Sequence, residues 1–443
     1  MRYLPHTEED IKEMLEAIGV EDLDDLFRQI PQDCKRKEPL EIPGPLNEWE
    51  LKRHVRALAN EMLRGEEEGM VFLGAGSYEH HVPEVIPYLL HRSEFVTSYT
   101  PYQPEVSQGT LQAIYEYQTL MTKLFAMEVS NASMYDGASA LAEAVLMAFR
   151  VMKKRTKIAV STVIHPHYRQ VLRTYLRPTG FEIVELGYGD DGRTDPEDLS
   201  DTDNLAAVAI QSPNFFGCVE DVERFAAIAH EKGALLICCF TEPLAYGLMK
   251  APGSVGADIV CGEGQSLGIH PSYGGPGLGI FCTKMKYART MPGRLVGKTT
   301  DMEGRRGFVL TLATREQHIR REKATSNICT NNNLCALTAA IYLATLGGTR
   351  LRKLAHMNHD KCEYLKTALV EKGAVVPFSA PTFNEFVVRL DMPPGRYEEL
   401  ARRGIIAGLP LERYYPGLKG HHLLCVTETK TREQLDQLVE ELT

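Results

Sequence analysis

The sequence predicts an α/β fold: a large domain with a mostly parallel central sheet, followed by a smaller C-terminal α+β domain. Three observations support this prediction. Between about residues 125 and 285, short β-branched runs alternate with helical stretches. The run 234–240 has almost no polar residue, as expected when both faces of a parallel strand are covered. Beyond an apolar helix at 334–346, the pattern changes to shorter mixed elements.

The chain begins with a predicted helical segment. Thr7 is placed to cap an amphipathic helix that Gly19 ends. A second amphipathic run covers 23–30, and a proline-rich connector leads from it to a helix at 51–63. We therefore expect residues 1–65 to form an N-terminal helical segment with a connector.

The two following domains are assigned to residues 66–330 and 331–443. The large domain is predicted to contain strands at 157–163, 181–186, 205–210, 234–240, 258–261 and 278–281, with helices at 168–176 and 222–231. The glycine pair after residue 346 ends the apolar helix. The small domain is predicted to contain a helix through 365–369, strands at 385–390 and 423–426, and a final helix from Arg432.

Composition excludes several classes of function. The formal net charge of −10 and the pI near 5.8 argue against binding to nucleic acid or to an anionic membrane. The ten cysteines are scattered without a C-x-x-C pair, so they indicate neither a disulfide framework nor a metal site. The N-terminus does not resemble a signal peptide, and no run of about 18 apolar residues predicts a membrane span. A cytoplasmic location is expected.

The most informative segment is the glycine-rich stretch 262–277, which lies between two predicted strands. This arrangement resembles the large domain of pyridoxal-phosphate (PLP) enzymes, where the same place holds the lysine that bonds the cofactor as a Schiff base. No lysine occurs between Lys250 and Lys284. The sequence therefore predicts a chain that keeps the scaffold, lacks the nucleophilic amine and works as one half of an assembly.

Two further segments have a functional and a structural interpretation. The small residues at 135–142 open a long apolar helix, whose backbone amides suit a phosphate and whose small side chains also suit close packing. His165 follows the strand 157–163 at the edge where such folds bind ligands. Its imidazole suits stacking on a flat ring, and a purely structural loop residue fits equally.

The turns after the next two strands are also ambiguous. The segment 212–217 fits a cofactor-facing loop or a plain β-to-α turn. Glu242 follows the strand 234–240, where PLP enzymes place an acid against the pyridinium nitrogen. Glutamate is one methylene longer than the aspartate expected there, and stiff Pro243 follows it, so a helix or loop cap is the better interpretation.

Five segments together resemble one known family. They are TPYQPEVSQG (100–109), NASMYDGA (131–138), GQSLG (264–268), GRRGF (304–308) and SNICT (326–330). They resemble the glycine dehydrogenase (decarboxylating) subunit 1 family, the α subunits of the two-subunit P-proteins of the glycine cleavage system. The resemblance runs from the Thr7 helix to the C-terminus.

The resemblance implies the type I PLP-dependent transferase fold and an oxidoreductase activity. In the family, glycine is decarboxylated on PLP and its aminomethyl group passes to the lipoyl disulfide of H-protein. The Schiff-base lysine belongs to subunit 2, the expected partner in an α2β2 heterotetramer. For this chain the resemblance implies no catalytic residue, no covalently bound cofactor and no metal, with PLP on the partner.

The resemblance also implies a set of vestigial PLP-site positions. These are Gly137, Ala138, Ser139, His165, Glu242 and Gln265. Gln265 falls at or near the lysine position and cannot form an imine, while Glu242 and His165 fall near the pyridinium acid and the ring-stacking histidine. The segments 99–108 and 294–321 are candidates for reaching the partner, although buried structural loops fit them too.

Other functions remain open. One is a degenerate PLP-fold scaffold or regulatory protein without a direct catalytic contribution. Another is a self-sufficient PLP enzyme that uses Lys250 or Lys284, of which the second lies beyond the next strand. A nicotinamide dehydrogenase is disfavoured because no complete glycine fingerprint is present.

Overall fold

The computed structural model describes residues 5–36, 38, 40–63, 69–96, 99–200 and 202–443, with only the backbone at 62, 63 and 318. The chain falls into two compact units, Met1–Met62 and Leu63–Thr443. The predicted boundary between a large and a small domain near residue 330 stays a prediction. All elements of the candidate site belong to the second unit.

The first unit contains helices α1 (Glu8–Ile18) and α2 (Glu48–Leu63). As predicted, Thr7 caps α1: its hydroxyl accepts a hydrogen bond from the Asp10 amide, and Gly19 ends the helix in the left-handed conformation. The second amphipathic run is shorter than predicted. It forms only one 3-10 turn, Asp24–Phe27.

The second unit contains ten further helices and fourteen strands among the described residues. The helices are α3 (Val85–Leu90), α4 (Ser93–Val96), α5 (Gln108–Phe125), α6 (Gly137–Val151), α7 (Pro166–Leu176), α8 (Val222–Glu231), α9 (Gln317–Arg320), α10 (Asn333–Glu371), α11 (Arg396–Arg402) and α12 (Arg432–Leu442). The strands are β1 (Met70–Val71), β2 (Val129–Ser130), β3 (Lys157–Ser161), β4 (Glu182–Leu186), β5 (Leu205–Gln211), β6 (Leu235–Phe240), β7 (Ile259–Glu263), β8 (Gly279–Thr283), β9 (Leu295–Thr300), β10 (Arg306–Thr311), β11 (Glu385–Arg389), β12 (Ile405–Ile406), β13 (Leu409–Pro410) and β14 (His421–Cys425).

The central sheet has seven strands in the order β4-β3-β5-β6-β7-β8-β2. The five strands from β4 to β7 are parallel, and β8 and β2 are antiparallel, so the predicted mostly parallel sheet is confirmed. Successive residues of β5 and β6 face opposite sides. Val208 and Leu236 pack with α5, α8 and α10, whereas Ala207 and Leu235 pack with α6 and α7. Both faces of these strands are therefore covered, which explains their apolar sequences.

Helix α10 is the apolar helix of the sequence prediction, continued past its predicted end. The backbone breaks at Gly347, with φ +63° and ψ 172°, and then resumes as a helix to Glu371. By length and composition α10 is the one described helix apolar enough to cross a membrane. Its residues Ala336, Ala339 and Leu343 are buried in the core of the large sheet, as in a core helix.

A smaller three-stranded antiparallel sheet, β11-β14-β13, lies near the C-terminus. Its residues Phe386, Val388 and Leu424 pack with Leu365 of α10 and Leu438 of α12. These elements match the predicted helix through 365–369, the two predicted strands and the final helix.

Parallel strands bring their carboxyl ends to the same edge of a sheet. The chain leaves this edge at His165 after β3, at Ser212 after β5, at Glu242 after β6 and at Gln265 after β7. The strand order therefore brings residues from four separate segments of the sequence to the same edge of the sheet.

A close backbone approach joins this edge to the small sheet. Gly217 has φ +81°, and a Cβ there would lie 2.1 Å from the carbonyl oxygen of Glu385 in β11. Gly217→Ala is expected to lower the free energy of unfolding by about 1–3 kcal/mol more than Gly304→Ala. Gly304 has φ +78° but open space around its Cβ position, so it reports the backbone strain alone. Urea unfolding of both variants measures the difference, and equal losses would contradict the packing argument.

Candidate functional site

The carboxyl edge of the sheet opens into a cavity of about 570 Å³. Its wall comes from the ends of β3, β6 and β7, the start of α6 and the glycine-rich loop. The lining residues are Ala75, Gly76, Ser77, Tyr135, Asp136, Ala138, His165, His167, Tyr168, Val171, Thr241, Glu263, Gln265, His270, Pro271, Ser272, Gly274, Gly275, Pro276 and Gly277. A cavity of this size has room for a cofactor, so the side chains that line it determine which ligands fit.

His165 lies on the cavity wall at the start of α7. Its Nδ1 accepts from the His167 amide at 3.1 Å, so the ring proton is on Nε2, which donates to the Ala75 carbonyl at 3.2 Å. Burial, and then the neighbouring His167, lower the pKa of His165 to about 4. The ring is therefore neutral and packs against Tyr168 and Phe215, with ring centroids 5.0 Å apart in both cases.

Gln265 follows β7 and is nearly buried, with 7% of its surface exposed. Its Nε2 donates to the Ile269 carbonyl at 2.5 Å. Its Oε1 is buried and has no hydrogen-bond partner among the described residues. The cavity wall thus holds an amide side chain, and no amine, at this position.

Gly137, Ala138 and Ser139 form the first turn of α6, as the sequence suggested. Ala138 lines the cavity, and the Ser139 amide donates to its N-cap residue Asp136 at 2.7 Å. A Cβ on Gly137 would lie 2.2 Å from the hydroxyl oxygen of Tyr168, so only glycine fits there. The close-packing interpretation of this segment therefore has direct structural support.

Sequence reasoning missed Glu263, the last residue of β7. Its carboxylate accepts hydrogen bonds from the amides of Gly137 at 3.0 Å, Gly264 at 3.1 Å and Leu278 at 2.7 Å. A carboxylate thus occupies the positive end of α6, where an anion is favoured. The only indication in the sequence was an acidic residue at the end of an apolar strand, two residues before Gln265. That position does not show which backbone amides the carboxylate binds.

Glu242 points away from the cavity and is not one of its lining residues. Its Oε1 accepts from the Leu244 amide and from the Ser266 hydroxyl, both at 2.8 Å, and its Oε2 lies 3.0 Å from Nε2 of His80. On the other side of His80, Nδ1 lies 2.9 Å from Glu428 Oε2. Sequence reasoning also missed His80 and Glu428.

The His80–Glu242–Glu428 triad, as we call these three residues, is a buried charge cluster. Burial opposes a charged imidazole, but the two carboxylates outweigh it and raise the pKa of His80 to about 10. Burial likewise opposes a charged Glu428, yet the contact with His80 lowers its pKa to about 2. His80 is therefore an imidazolium held between two carboxylates.

These residues do not fit PLP in this chain. No lysine lines the cavity among the described residues, and Gln265 cannot form an imine. The carboxylates of Glu263 and Asp136 stand at the helix end that a phosphate needs. Glu242, the acid near the pyridinium place, is already paired with His80.

The two alternative lysines lie elsewhere. Nζ of Lys284 is 2.7 Å from Asp258 Oδ1, next to the amino end of β7 and thus at the opposite edge of the sheet from the cavity. Lys250 is exposed and lies 3.6 Å from Glu223 of α8. Among the described residues, no group of three or more His, Cys, Asp or Glu is arranged to hold a metal ion.

Comparison with known proteins assigns the chain to a family. The family model described as glycine cleavage system P-protein matches residues 1–442. The chain belongs to the glycine cleavage system P-protein family. A protein of Desulfotalea psychrophila named probable glycine dehydrogenase (decarboxylating) subunit 1 is 56% identical, covering 99% of this chain and 98% of that relative. A relative of Geobacillus kaustophilus with the same name is 48% identical, covering 100% and 98%.

Solved structures agree with this membership. A crystal structure of glycine decarboxylase (P-protein) of the glycine cleavage system, in inhibitor-bound form, is 45% identical with a TM-score of 0.89, covering 100% of this chain and 99% of that one. Glutamate decarboxylase of Lactobacillus brevis shares the fold at 13% identity and a TM-score of 0.67, covering 93% and 95%. The fold of this P-protein family member is the type I fold of PLP-dependent enzymes, as predicted.

The triad predicts how stability depends on pH. His80 releases its proton near pH 6.5 when unfolded and near pH 10 when folded, so its contribution is complete below 6.5 and is lost as pH rises through about 10. His80→Gln is expected to remove this slope and to cost about 3–5 kcal/mol near neutral pH, because it leaves buried carboxylates unpaired. Urea unfolding at a series of pH values measures both effects.

His81→Gln is the matched control, because His81 is the adjacent residue and its side chain is exposed. This control is expected to keep the slope of the unmodified chain. A His80→Gln chain with an unchanged slope would show that His80 is not the group responsible.

Proposed function

We propose that this chain is the subunit of a two-chain glycine decarboxylase that does not carry the Schiff-base lysine. With subunit 2 it completes the PLP-dependent decarboxylation of glycine and the transfer of the aminomethyl group to the lipoyl arm of H-protein. The observation that carries this proposal is the cavity wall at Gln265, where the fold is kept and the amine is absent. PLP on the partner supplies the electron sink for the carbanion.

The roles of the two subunits follow from the absence of a Schiff-base lysine in the cavity of this chain. Gln265, Glu242 and Glu263 are each hydrogen-bonded within the chain, so these three side chains of the former site are not free to act on glycine. The contribution of this chain is therefore to shape and close the partner's active site. All ten cysteines are free thiols, which suits the reducing cytoplasm.

The surface that meets the partner is proposed to be one continuous patch, which we call the docking patch: residues 99–108 with the β9–β10 hairpin. The two segments proposed from the sequence lie against each other here. The Gln108 amide donates to the Phe308 carbonyl at 2.9 Å and its Oε1 accepts from the Phe308 amide at 2.8 Å. Arg294 donates to the Tyr102 hydroxyl at 2.8 Å and to the Cys329 carbonyl at 2.9 Å.

The docking patch combines a rigid base with exposed apolar side chains. Arg294 is almost fully buried, whereas Tyr99 and Val106 are 83% and 80% exposed. A mainly apolar cavity of about 510 Å³ includes Tyr99 in its wall, with Phe95, Val96 and Leu337 among its other lining residues. Exposed apolar surface of this kind marks interfaces, and obligate complexes bury more than about 2,000 Å². Subunit 2 is the proposed occupant, in an α2β2 heterotetramer.

The assignment of chemistry to the partner is tested by borohydride reduction with PLP, of this chain alone and with subunit 2, followed by peptide mass spectrometry. A pyridoxyl-lysine is expected only on the partner, and glycine decarboxylation is expected only when both chains are present. A labelled lysine in this chain would overturn the proposal. Turnover by subunit 2 alone at the full rate would instead favour the scaffold alternative.

The docking patch is tested by Val106→Asp, which places a charge on its exposed apolar surface. Subunit 2 is expected to bind this variant at least about tenfold more weakly, because a desolvated unpaired carboxylate opposes association. Val370→Asp is the matched control, since Val370 is an exposed valine of α10 outside the patch. Analytical ultracentrifugation of the mixed chains measures affinity and stoichiometry. Equal affinities for the two variants would place the interface elsewhere.

A further inference from the structure

The carboxylate of Glu263 gathers three backbone amides from three separate parts of the chain. They belong to Gly137 at the start of α6, Gly264 directly after β7, and Leu278 before β8, at 3.0, 3.1 and 2.7 Å. Converging amides at a helix N-terminus are how proteins hold a phosphate or a carboxylate. The anion that these amides hold here is part of the chain itself.

A second acid strengthens the negative charge at this end of the cavity. Asp136 caps α6 through the Ser139 amide, and a Cβ on Gly277 would lie within 3.1 Å of both Asp136 Cβ and Glu263 Oε2. Burial raises the pKa of Glu263, the three amides oppose that shift, and the nearby Asp136 adds to it. No Lys or Arg lines the cavity among the described residues. An incoming phosphate would therefore meet carboxylates and no compensating cation.

We propose that Glu263 is a built-in anion that fills the phosphate place of the fold, so that this cavity rejects phosphate-bearing cofactors whichever residue stands at position 265. The proposal rests on the proposed function only in identifying the cavity as a former cofactor site. Loss of the lysine is then one of two separate barriers to PLP, and the charge at Glu263 is the other. Restoring a lysine alone does not restore the site.

The decisive experiment titrates inorganic phosphate into the full-length chain and into Glu263→Ser, by calorimetry at constant ionic strength. Glu263→Ser frees the three amides and is expected to bind phosphate at least about tenfold more tightly than the unmodified chain. Glu433→Ser is the matched control. It removes an exposed acid from the first turn of α12 with the same change in net charge, and Glu433 is not among the residues that line the cavity.

Thermal unfolding in chloride buffer checks that Glu263→Ser is folded. If it is not, Glu263→Gln takes its place, since it keeps one acceptor oxygen and loses the charge. A smaller gain in phosphate affinity is then expected. The proposal is overturned if the folded variant gains no phosphate affinity, or if Glu433→Ser gains as much.

A PLP titration separates the two barriers. Gln265→Lys alone is expected to form no Schiff-base absorbance band, whereas Gln265→Lys with Glu263→Ser forms one. A band from the single variant as strong as that of the double variant overturns the proposal, and so does a double variant that forms no band. These measurements use this chain alone. If they contradict the role of Glu263, the proposed two-subunit turnover is not affected. If turnover with subunit 2 fails, the role of Glu263 is not affected.

Discussion

The protonated His80 between Glu242 and Glu428 is the constraint on which the rest of the second unit depends. It joins the segment after β1, the segment that follows β6 of the central sheet and the segment that follows β14 of the small sheet. Asn358 of α10 donates to the same Glu428 carboxylate at 2.9 Å, and Lys361 donates to its carbonyl at 2.5 Å. Because a buried charge is tolerated only when it is paired, these elements have one mutual arrangement in which all three charges are satisfied.

The need to pair buried charges also affects the acids near the cavity. In this chain Glu242 is committed to His80, and Glu263 is committed to the amides at the start of α6. Both acids are therefore hydrogen-bonded within the chain and are not free for a cofactor. The carboxylate of Glu263 thereby joins the start of α6 to the end of β7 at the cavity wall.

The hydrogen bonds beneath the docking patch support the proposal that this chain shapes its partner's active site. Buried Arg294 fixes the segment containing Tyr102 against the chain near Cys329, and Gln108 fixes the same segment against the β9–β10 hairpin. The side chains above these anchors are exposed. A preordered surface loses little conformational entropy when it binds, which favours a stable complex.

The sequence by itself determined six of the seven strands of the central sheet and their layered order with the helices. The helix predicted at 222–231 has those bounds, and the strand predicted at 157–163 is Lys157–Ser161, because periodicity and burial of β-branched runs are local properties. Parallel pairing of these strands then placed the candidate site at their carboxyl edge. The absence of a lysine between Lys250 and Lys284 was evident from the sequence itself. The sequence overestimated the helix at 23–30, where apolar spacing alone does not stabilise more than one turn.

Only the tertiary structure decided what the polar residues do. Glu263 bonds to an amide 126 residues away in the chain, and His80 to a carboxylate 162 residues away. No spacing rule connects such positions, so an acid at a strand end and one histidine of an adjacent pair carry no local signal. Their roles depend on burial, which sets the cost of an unpaired charge, and burial exists only once the sheet and its helices have packed.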